Sequence, residues 1–497
     1  MKKVLILILA YNAERHIAGV LNRIPDTLWN NAQYQAEVVI IDDCSKDNTS
    51  KVAREYLRGS ARPIRLLRNA TNQGYGGNQK VGYTYAIEHG YDAVVMVHGD
   101  GQYPPEFLPD MIAPILNGDA DAVFGSRMIN KGDALKGGMP KYKFVGNIVL
   151  TWLQNLMLGS KLAEFHSGYR AYSVPALRKI PFQFNSNVFH FDTDIIIQFV
   201  DCKLRMLEIP IPTHYGDEVC HVNGMRYAID VMLSTVLSRI QKFGIFYAPK
   251  FDYARVAAYD DKGNFASSHG FALDQVAKNQ FIGKAQRVLD IGAGGFVAAR
   301  LRAKGALVTG CDEREDSAMR GSYDAFYPMD IDRPDFGALA TQHFDSILLL
   351  DVLERLQTPE DFMTQLHAWS AVDNPRIIIT TANVAFFTQR FMLLLGQFNY
   401  GRRGTLDMTH KRLFTFASLK RLLEGTGFNI IEVQGIPAPF PLAMGDGPLA
   451  RALLKINLFL IKISKGLFSY QIAVSARPVP TLELLVQHAI AHGDAVQ

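Results

Sequence analysis

Four cysteines in 497 residues, Cys44, Cys202, Cys220 and Cys311, stand far apart, and no Cys-x-x-Cys pair occurs. That argues against a disulfide framework and a cysteine zinc site, and it fits a reducing compartment. No apolar run reaches the ~20 residues that a helix needs to cross a bilayer. Leu449–Phe468 comes closest, and Arg451, Lys455, Lys462 and Lys465 interrupt it. An excess of one charge is missing too. The formal net charge is +4, so no global field argues for nucleic acid. Internal repeats and low-complexity tracts are absent as well.

What remains is a globular composition, 48% hydrophobic and 20% charged, able to bury large cores. The length calls for more than one domain, and two large ones are expected. The opening, Met1-Lys2-Lys3 before Val4–Ala10, has the outline of a signal peptide. Tyr11-Asn12-Ala13-Glu14 follows without a small-residue cleavage site, so the stretch reads as a first β-strand.

In the first half, Val4–Leu9 and Val38–Ile41 read as parallel core strands separated by a helical stretch from Ala13 to Arg23. The second ends in Asp42-Asp43-Cys44-Ser45-Lys46-Asp47-Asn48-Thr49. Ser45 or Asp47 can cap the next helix, which leaves Asp42 and Asp43 at the strand mouth, able to accept hydrogen bonds from a base or a ribose. Leu66–Arg68 is a short strand before Asn72-Gln73-Gly74-Tyr75-Gly76-Gly77, a loop whose N–H groups can face a phosphate. Ala93–Val97 is a buried strand that stops at His98-Gly99-Asp100-Gly101-Gln102, and Pro104-Pro105 bars its continuation. A carboxylate at the carboxyl end of a buried strand is where an open α/β sheet places a ligand. Ala122–Arg127 is a further strand ending in a polar turn. Phe144–Leu158 is apolar at helical spacing and either packs in a core or faces lipid.

These motifs, with Ala10-Tyr11-Asn12-Ala13-Glu14, Gly125-Ser126-Arg127 and Ser167-Gly168-Tyr169-Arg170, occur in one order and spacing. Residues 1 to about 240 resemble family 2 glycosyltransferases of the nucleotide-diphospho-sugar type, close to the dolichyl-phosphate-mannose synthase group. The resemblance implies a GT-A-type Rossmann-like domain and inverting displacement at an anomeric carbon. It implies a nucleotide-sugar site at Ala10, Asn12, Glu14, Asp42, Asp43, Gly74 and Asp100. It makes Asp100 the ligand of a divalent metal (Mg²⁺ or Mn²⁺), with Gln102 assisting. The usual first acid of the Asp-x-Asp pair is His98 here, and Mn²⁺ accepts an imidazole more readily than Mg²⁺. Asp192 or Asp194, opening a helix, is the candidate general base for a hydroxyl acceptor. A lipid-phosphate acceptor needs none. Arg170 either pairs with an acceptor phosphate or forms a structural salt bridge. His221, in an acidic stretch from Tyr215, stands where relatives carry a basic acceptor loop.

Composition shifts after Phe243. Arg287–Ile291 runs into Gly292-Ala293-Gly294-Gly295-Phe296, a strand, a glycine turn and a helix. Val308–Asp312 follows, with an acid at its end suited to ribose hydroxyls, and Ser346–Leu350 ends in Asp351-Val352-Leu353-Glu354. With Gly404–Thr415, these segments are similar to the class I S-adenosylmethionine-dependent methyltransferases, over residues 250 to about 478. The resemblance implies a second Rossmann-like domain with a seven-stranded sheet whose last pair, Phe428–Val433 and Tyr470–Ala476, is antiparallel. It implies that Asp290, Gly292 and Gly294 shape the cofactor pocket, Asp312 holds the ribose, and Asp330 or Asp351 flanks the adenine and methionine ends. Phe296 replaces a third glycine and crowds the pocket unless the loop is one residue shorter. His410 either acts on the methyl acceptor or anchors its loop. Pro448–Phe468 reads as one amphipathic helix for packing or for an anionic membrane face.

The expected organisation is an α/β chain with a glycosyltransferase at 1–245, a linker at 246–269, a methyltransferase-like domain at 270–480 and a tail at 481–497. The expected function is sugar transfer from a nucleotide-diphospho-sugar to a glycan or lipid-linked acceptor, and S-adenosylmethionine-dependent methylation of a glycan or small molecule. The other reading keeps the glycosyltransferase, with a polyprenyl-phosphate acceptor, and makes the second domain a non-catalytic scaffold. A cytoplasmic enzyme with peripheral contact at the inner membrane face, and no nucleic-acid partner, is expected.

Overall fold

The structure is a computed structural model that describes residues 1–212, 223–243, 246–252, 266–279, 284–292, 294–313, 320–402, 404–444, 447–482 and 484–486. His221 with its acidic stretch from Tyr215, Ala293 of the glycine turn, linker residues 253–265 and tail residues 483 and 487–497 lie outside the described residues. The chain forms two compact units, Met1–Gln241 with Ala248–Val256, and Lys242–Tyr247 with Ala257–Gln497.

The first unit is built on a seven-stranded sheet of β1 (Lys2–Ala10), β2 (Tyr34–Asp42), β3 (Ile64–Arg68), β4 (Ala93–His98), β5 (Ala122–Ser126), β6 (Arg170–Ser173) and β7 (Met206–Pro210). Its order is β3-β2-β1-β4-β6-β5-β7. β6 runs antiparallel to β4 and β5, and the other pairs are parallel. Side chains alternate between faces along a strand, so Val4, Ile6 and Ile8 enter one core while Leu5, Leu7 and Leu9 enter the other. Each fully buried aliphatic side chain contributes roughly 1.5–3 kcal/mol, which is why the central strands carry unbroken apolar runs. Helices α1 (Thr49–Arg58), α2 (Tyr75–Glu88), α3 (Lys141–Leu158), α4 (Phe191–Asp201) and α5 (Gly224–Ile240) belong to this unit. The helix expected from Ala13 begins only at Ile17, because Asn12 takes a φ of 51° and the Ala13 carbonyl closes a turn onto His16 and Ile17.

The pair α3 and α5 is inside out. Their buried positions include Asn147, Thr151 and Gln154 on α3 and Ser234, Thr235 and Ser238 on α5. Gln154 Nε2 donates to Thr235 Oγ1 at 3.5 Å. Outward stand Tyr142, Val145, Val149, Trp152 and Leu156 on α3, with Met225, Ile229 and Leu233 on α5, and Trp152 is 61% exposed. After α5, Phe251 packs into the core of this unit, and Lys250 Nζ reaches Asp194 Oδ1 at 2.8 Å.

The second unit holds a sheet of β8 (Arg287–Ile291), β9 (Leu307–Asp312), β10 (Ala325–Pro328), β11 (Ser346–Leu350), β12 (Arg376–Ala382), β13 (Phe428–Ile436) and β14 (Gln471–Pro478) in the order β10-β9-β8-β11-β12-β14-β13. Strand β14 is antiparallel to both neighbours, so the expected last pair is present with longer strands. Helix α6 (Ser268–Lys278) and helix α7 (Phe296–Ala303) pack against one face. Helix α8 (Phe387–Leu394) follows β12. The amphipathic stretch from Pro448 is two helices rather than one, since α9 (Pro448–Ile463) stops at extended Ser464 before a short turn at Lys465–Phe468.

Candidate functional site

The carboxyl ends of β1, β2 and β4 share one rim of the first sheet, with Ala10 paired to Asp42 and Leu9 to His98. The loops after β1 and β2 are stitched together. The Asn12 N–H donates to Ser45 Oγ at 2.9 Å, and Asn12 Oδ1 accepts from the Lys46 N–H at 3.0 Å. The Glu14 carboxylate takes the backbone and side-chain amides of Asn48 at 3.0 and 3.1 Å. Asn12 and Glu14 therefore shape the rim.

Asp42 is fully buried. It accepts from the Ser45 N–H at 2.9 Å and from the Ser50 hydroxyl, with Arg68 Nε at 3.8 Å. This corrects the expectation that it sits at the open mouth. It ties the end of β2 to α1. Asp43, also buried, accepts from the Asn69 amide and from the N–H groups of Gln73 and Gly74 at 2.7, 2.8 and 3.0 Å. A carboxylate offers about four lone-pair sites, so one remains open to a further donor. Gly74 has a φ of 77°, and a Cβ there would come within 2.6 Å of the Asn187 carbonyl. Gly76 and Gly77 donate to that carbonyl at 2.8 and 3.2 Å. The expected phosphate-binding loop is corrected accordingly, because its N–H groups answer Asp43 and Asn187.

Asp100 differs from these acids. Its side chain is 43% exposed, Oδ1 accepts from the Gln102 N–H at 3.0 Å, and Oδ2 lies 4.0 Å from His98 Nδ1. One carboxylate oxygen and one imidazole nitrogen at a sheet rim fit a divalent cation that takes its other ligands from phosphate oxygens and water. Among the described residues no group of three or more His, Cys, Asp or Glu is placed to hold a metal alone.

The acids opening α4 face inward. Asp192 accepts from the Tyr75 hydroxyl at 2.9 Å and from Gln79 Nε2 at 3.1 Å, with Arg170 Nε at 3.7 Å. Asp194 is fully buried and accepts from the Ser186 N–H at 3.0 Å, from Lys250 at 2.8 Å and from the Ser234 hydroxyl. A carboxylate held by a lysine in the core does not reach an acceptor, which corrects Asp194 as a general base. Arg170 is 1% exposed. It donates to the carbonyls of Ser167, Asp192 and Phe165 at 2.7, 3.2 and 2.8 Å and lies over the Phe124 ring at 4.9 Å. Of its two readings, the structural one stands, and the acceptor-phosphate role is corrected. Sequence reasoning passed over His166, whose Nδ1 meets the Tyr227 hydroxyl at 2.9 Å while its buried Nε2 has no hydrogen-bond partner. Burial holds this ring neutral, down to about 4. Its position beside Ser167-Gly168 was the available signal.

In the second unit His269, Asp290, Gly292, Gly294, Gly295, Phe296, Val297 and Leu350 line a shallow, open recess. Positive φ falls on Gly292 and Gly295, both 77°. At Gly292 a Cβ would lie 2.6 Å from Val352 Cγ2. Gly295 thus supplies the turn directly before α7, and Phe296, 38% exposed, begins the helix at the rim of the recess. Tyr323 bridges the turn, donating to Asp290 Oδ2 at 2.8 Å and accepting from the Gly295 N–H at 2.9 Å. Burial pushes the Asp290 carboxyl up to about 7 against the pull of Tyr323, with Asp312 adding to the rise. Asp312 ends β9, and Asp330 is exposed two residues past β10. Asp351, φ 57°, follows β11 and accepts from Thr380 Oγ1 and Gln471 Nε2 at 3.1 and 2.7 Å. Only Asp290, Gly292 and Gly294 of the predicted cofactor residues share the recess; the others stand at neighbouring strand ends. His410 Nδ1 lies 3.3 Å from the Thr405 carbonyl and Nε2 4.0 Å from Glu354, which fits the loop-anchoring reading.

Two outcomes follow from these contacts. Arg170→Ala leaves buried Asp192 without its cation, and calorimetry should show the first unit destabilised by ~3–5 kcal/mol; an acceptor-facing arginine would leave the transition nearly unchanged. Asp290 binds its proton more tightly folded than unfolded, so its contribution is complete below the ordinary carboxylate range and fades as pH rises through about 7. The melting temperature of the second unit should fall over that window, and Asp290→Asn should flatten the fall.

The description "Glycosyl transferase family 2" matches residues 5–181, and "Methyltransferase domain" matches residues 252–433. A UDP-N-acetylglucosamine–dolichyl-phosphate N-acetylglucosaminyltransferase of Methanococcus voltae is 31% identical over 227 residues, 44% of this chain and 87% of its own length. An undecaprenyl-phosphate mannosyltransferase of Micrococcus luteus is 29% identical, covering 42% of this chain and 82% of its own. A polyprenol monophosphomannose synthase of Mycolicibacterium smegmatis is 24% identical, covering 42% and 77%. With this much of a relative matched at that identity, and with a GT-A-type sheet in the first unit and a class I sheet order in the second, the chain belongs to glycosyl transferase family 2 and carries a methyltransferase domain behind its transferase domain.

Proposed function

We propose that the first unit transfers a sugar, with inversion, from a nucleotide-diphospho-sugar to a polyprenyl-phosphate acceptor at a membrane surface. The observation that carries this reading is the contrast among the acids of the site. Asp100 stands open at the rim, while Asp192 and Asp194 are tied to partners in the interior. A hydroxyl acceptor needs a base, and a carboxylate held by Tyr75, Gln79 and Arg170 is a poor one. A phosphate acceptor arrives ionised and needs none. A bound divalent cation supplies charge neutralisation for the departing diphosphate. The chain's own residues orient the donor, with Asp43 as the base contact and the rim of Asn12 and Glu14 around it. The relatives named for dolichyl, undecaprenyl and polyprenyl phosphates support the same acceptor class.

The inside-out pair α3 and α5 supports the membrane side of this reading. An apolar stripe facing outward over a polar helix contact favours an apolar partner. Lys141 and Lys143 in the first turn of α3 and Arg226 on α5 add attraction to anionic lipid, and α3 carries no acid. In the second unit, Phe391 and Leu394 on α8 and Leu449, Ile456, Phe459 and Ile463 on α9 are exposed beside Lys455 and Lys462. Among the described residues no helix is long and apolar enough to cross a membrane. The second unit is read as an S-adenosylmethionine-dependent methyltransferase acting on a glycan or small molecule. Phe296 at the rim of the recess favours the second reading, a non-catalytic scaffold. Heat on titration with S-adenosylmethionine supports the enzyme, and none at high concentration supports the scaffold.

The deciding experiment offers labelled UDP- and GDP-sugars with undecaprenyl phosphate and follows lipid-linked product. Asp100→Ala should abolish product while S-adenosylmethionine binding to the second unit persists. No product from any donor with the intact chain sinks the transferase reading. Trp152→Glu combined with Leu233→Glu should reduce flotation with anionic vesicles several-fold without changing the melting temperature.

A further inference from the structure

The ring of His98 is held on three sides. Tyr75 and Tyr103 meet it edge-on, with ring centroids at 5.5 and 4.9 Å. On the third side is Gly168, where a Cβ would come within 2.7 Å of His98 Cε1 and 2.8 Å of Nε2. Only a glycine lets the backbone pass this close. Within that frame Nε2 lies 3.3 Å from the Tyr75 hydroxyl, and the Tyr75 hydroxyl lies 2.9 Å from Asp192 Oδ2. The Tyr75 hydroxyl donates to Asp192 Oδ2, with Arg170 on the far side of that carboxyl group, so its single proton is spent there. The phenol oxygen then offers a lone pair toward His98, and Nε2 carries the ring hydrogen. In the neutral ring Nδ1 is left with its lone pair. That nitrogen is the one 4.0 Å from Asp100 Oδ2, whose partner Oδ1 is taken by the Gln102 N–H.

We propose that His98 is itself a ligand of the divalent cation, through Nδ1, with its tautomer set by the buried chain Tyr75–Asp192–Arg170. The inference rests on the transferase reading of the site. Neighbouring donors bound at ~2.1 Å around an octahedral cation stand about 3 Å apart, so the 4.0 Å between His98 Nδ1 and Asp100 Oδ2 closes by about 1 Å when the cation binds. A ligating histidine ordinarily gives its other ring N–H to an acceptor that fixes it, and Tyr75 is that acceptor here. An imidazole in place of a carboxylate shifts the preference from Mg²⁺ toward Mn²⁺ or Co²⁺. It also lowers the negative charge of the empty site by one.

The test is pulsed electron paramagnetic resonance on the full chain with Mn²⁺ and UDP or GDP, using protein labelled with ¹⁵N-histidine. The expected result is a histidine nitrogen coupling on bound Mn²⁺. His98→Asp should lose the coupling, still bind Mn²⁺, and gain Mg²⁺ affinity relative to Mn²⁺. Tyr75→Phe should keep the coupling but bind Mn²⁺ roughly ten-fold more weakly. Bound Mn²⁺ without nitrogen coupling overturns the assignment of His98 and leaves the transferase reading standing. No bound Mn²⁺ with any nucleotide overturns both.

Discussion

Arg170 carries a permanent charge where only 1% of its surface meets solvent, and that charge has to be answered inside the first unit. It is answered by three carbonyls and by Asp192. Those partners come from the loop before β6 and the start of α4, so one guanidinium fixes two segments of the site against the sheet. Asp192 in turn orients Tyr75, and Tyr75 orients His98. Removing a charge from water is expensive unless every partner is in place. The demand for complete satisfaction keeps the site's inner wall in one arrangement.

The two units solve the same problem in related ways. Each has a seven-stranded sheet buried on both faces, and each exposes chemistry only where the parallel strands end. In the first unit the tight approach is made by Gly74, Gly76 and Gly168, and in the second by Gly292 and Gly295. In both, a tyrosine stands behind the turn with its hydroxyl on a buried aspartate, Tyr75 on Asp192 and Tyr323 on Asp290. The outcome differs. Arg170 keeps the first aspartate paired with a cation, whereas Asp290 has no such neighbour among its hydrogen-bond partners and its carboxyl is pushed toward neutrality.

The strands were legible because parallel core strands are apolar on both sides, so runs such as Val4–Leu9 and Ala93–Val97 leave little choice. The seven-stranded sheet of the second unit, with its antiparallel last pair, followed from the family motifs rather than from periodicity. The destination of a polar group was not legible. A glycine loop before a helix announces a tight turn, but nothing local says that its amides meet Asn187. An acid at a helix start reads alike whether it faces solvent or, like Asp194, a lysine far along the chain. The inside-out helix pair did leave a trace, since Asn147, Thr151 and Gln154 recur at the spacing of one helical face. A stretch judged by its apolar content alone hides that trace.

The segment after α5 bears on how the protein can be divided. Lys250 lies beyond the last helix of the first unit, yet its ammonium is held by the Asp194 carboxylate and the Ser234 hydroxyl, and Phe251 fills the adjacent core. A fragment cut at residue 245 would keep the buried carboxylate and lose its counter-ion, together with an aromatic plug. Such a fragment begins with an internal charge defect, and poor solubility on its part would say nothing about dependence on the second unit. A transferase fragment that retains residues up to 252 keeps the ion pair whole, and it is the fair starting point for asking whether the two activities need each other.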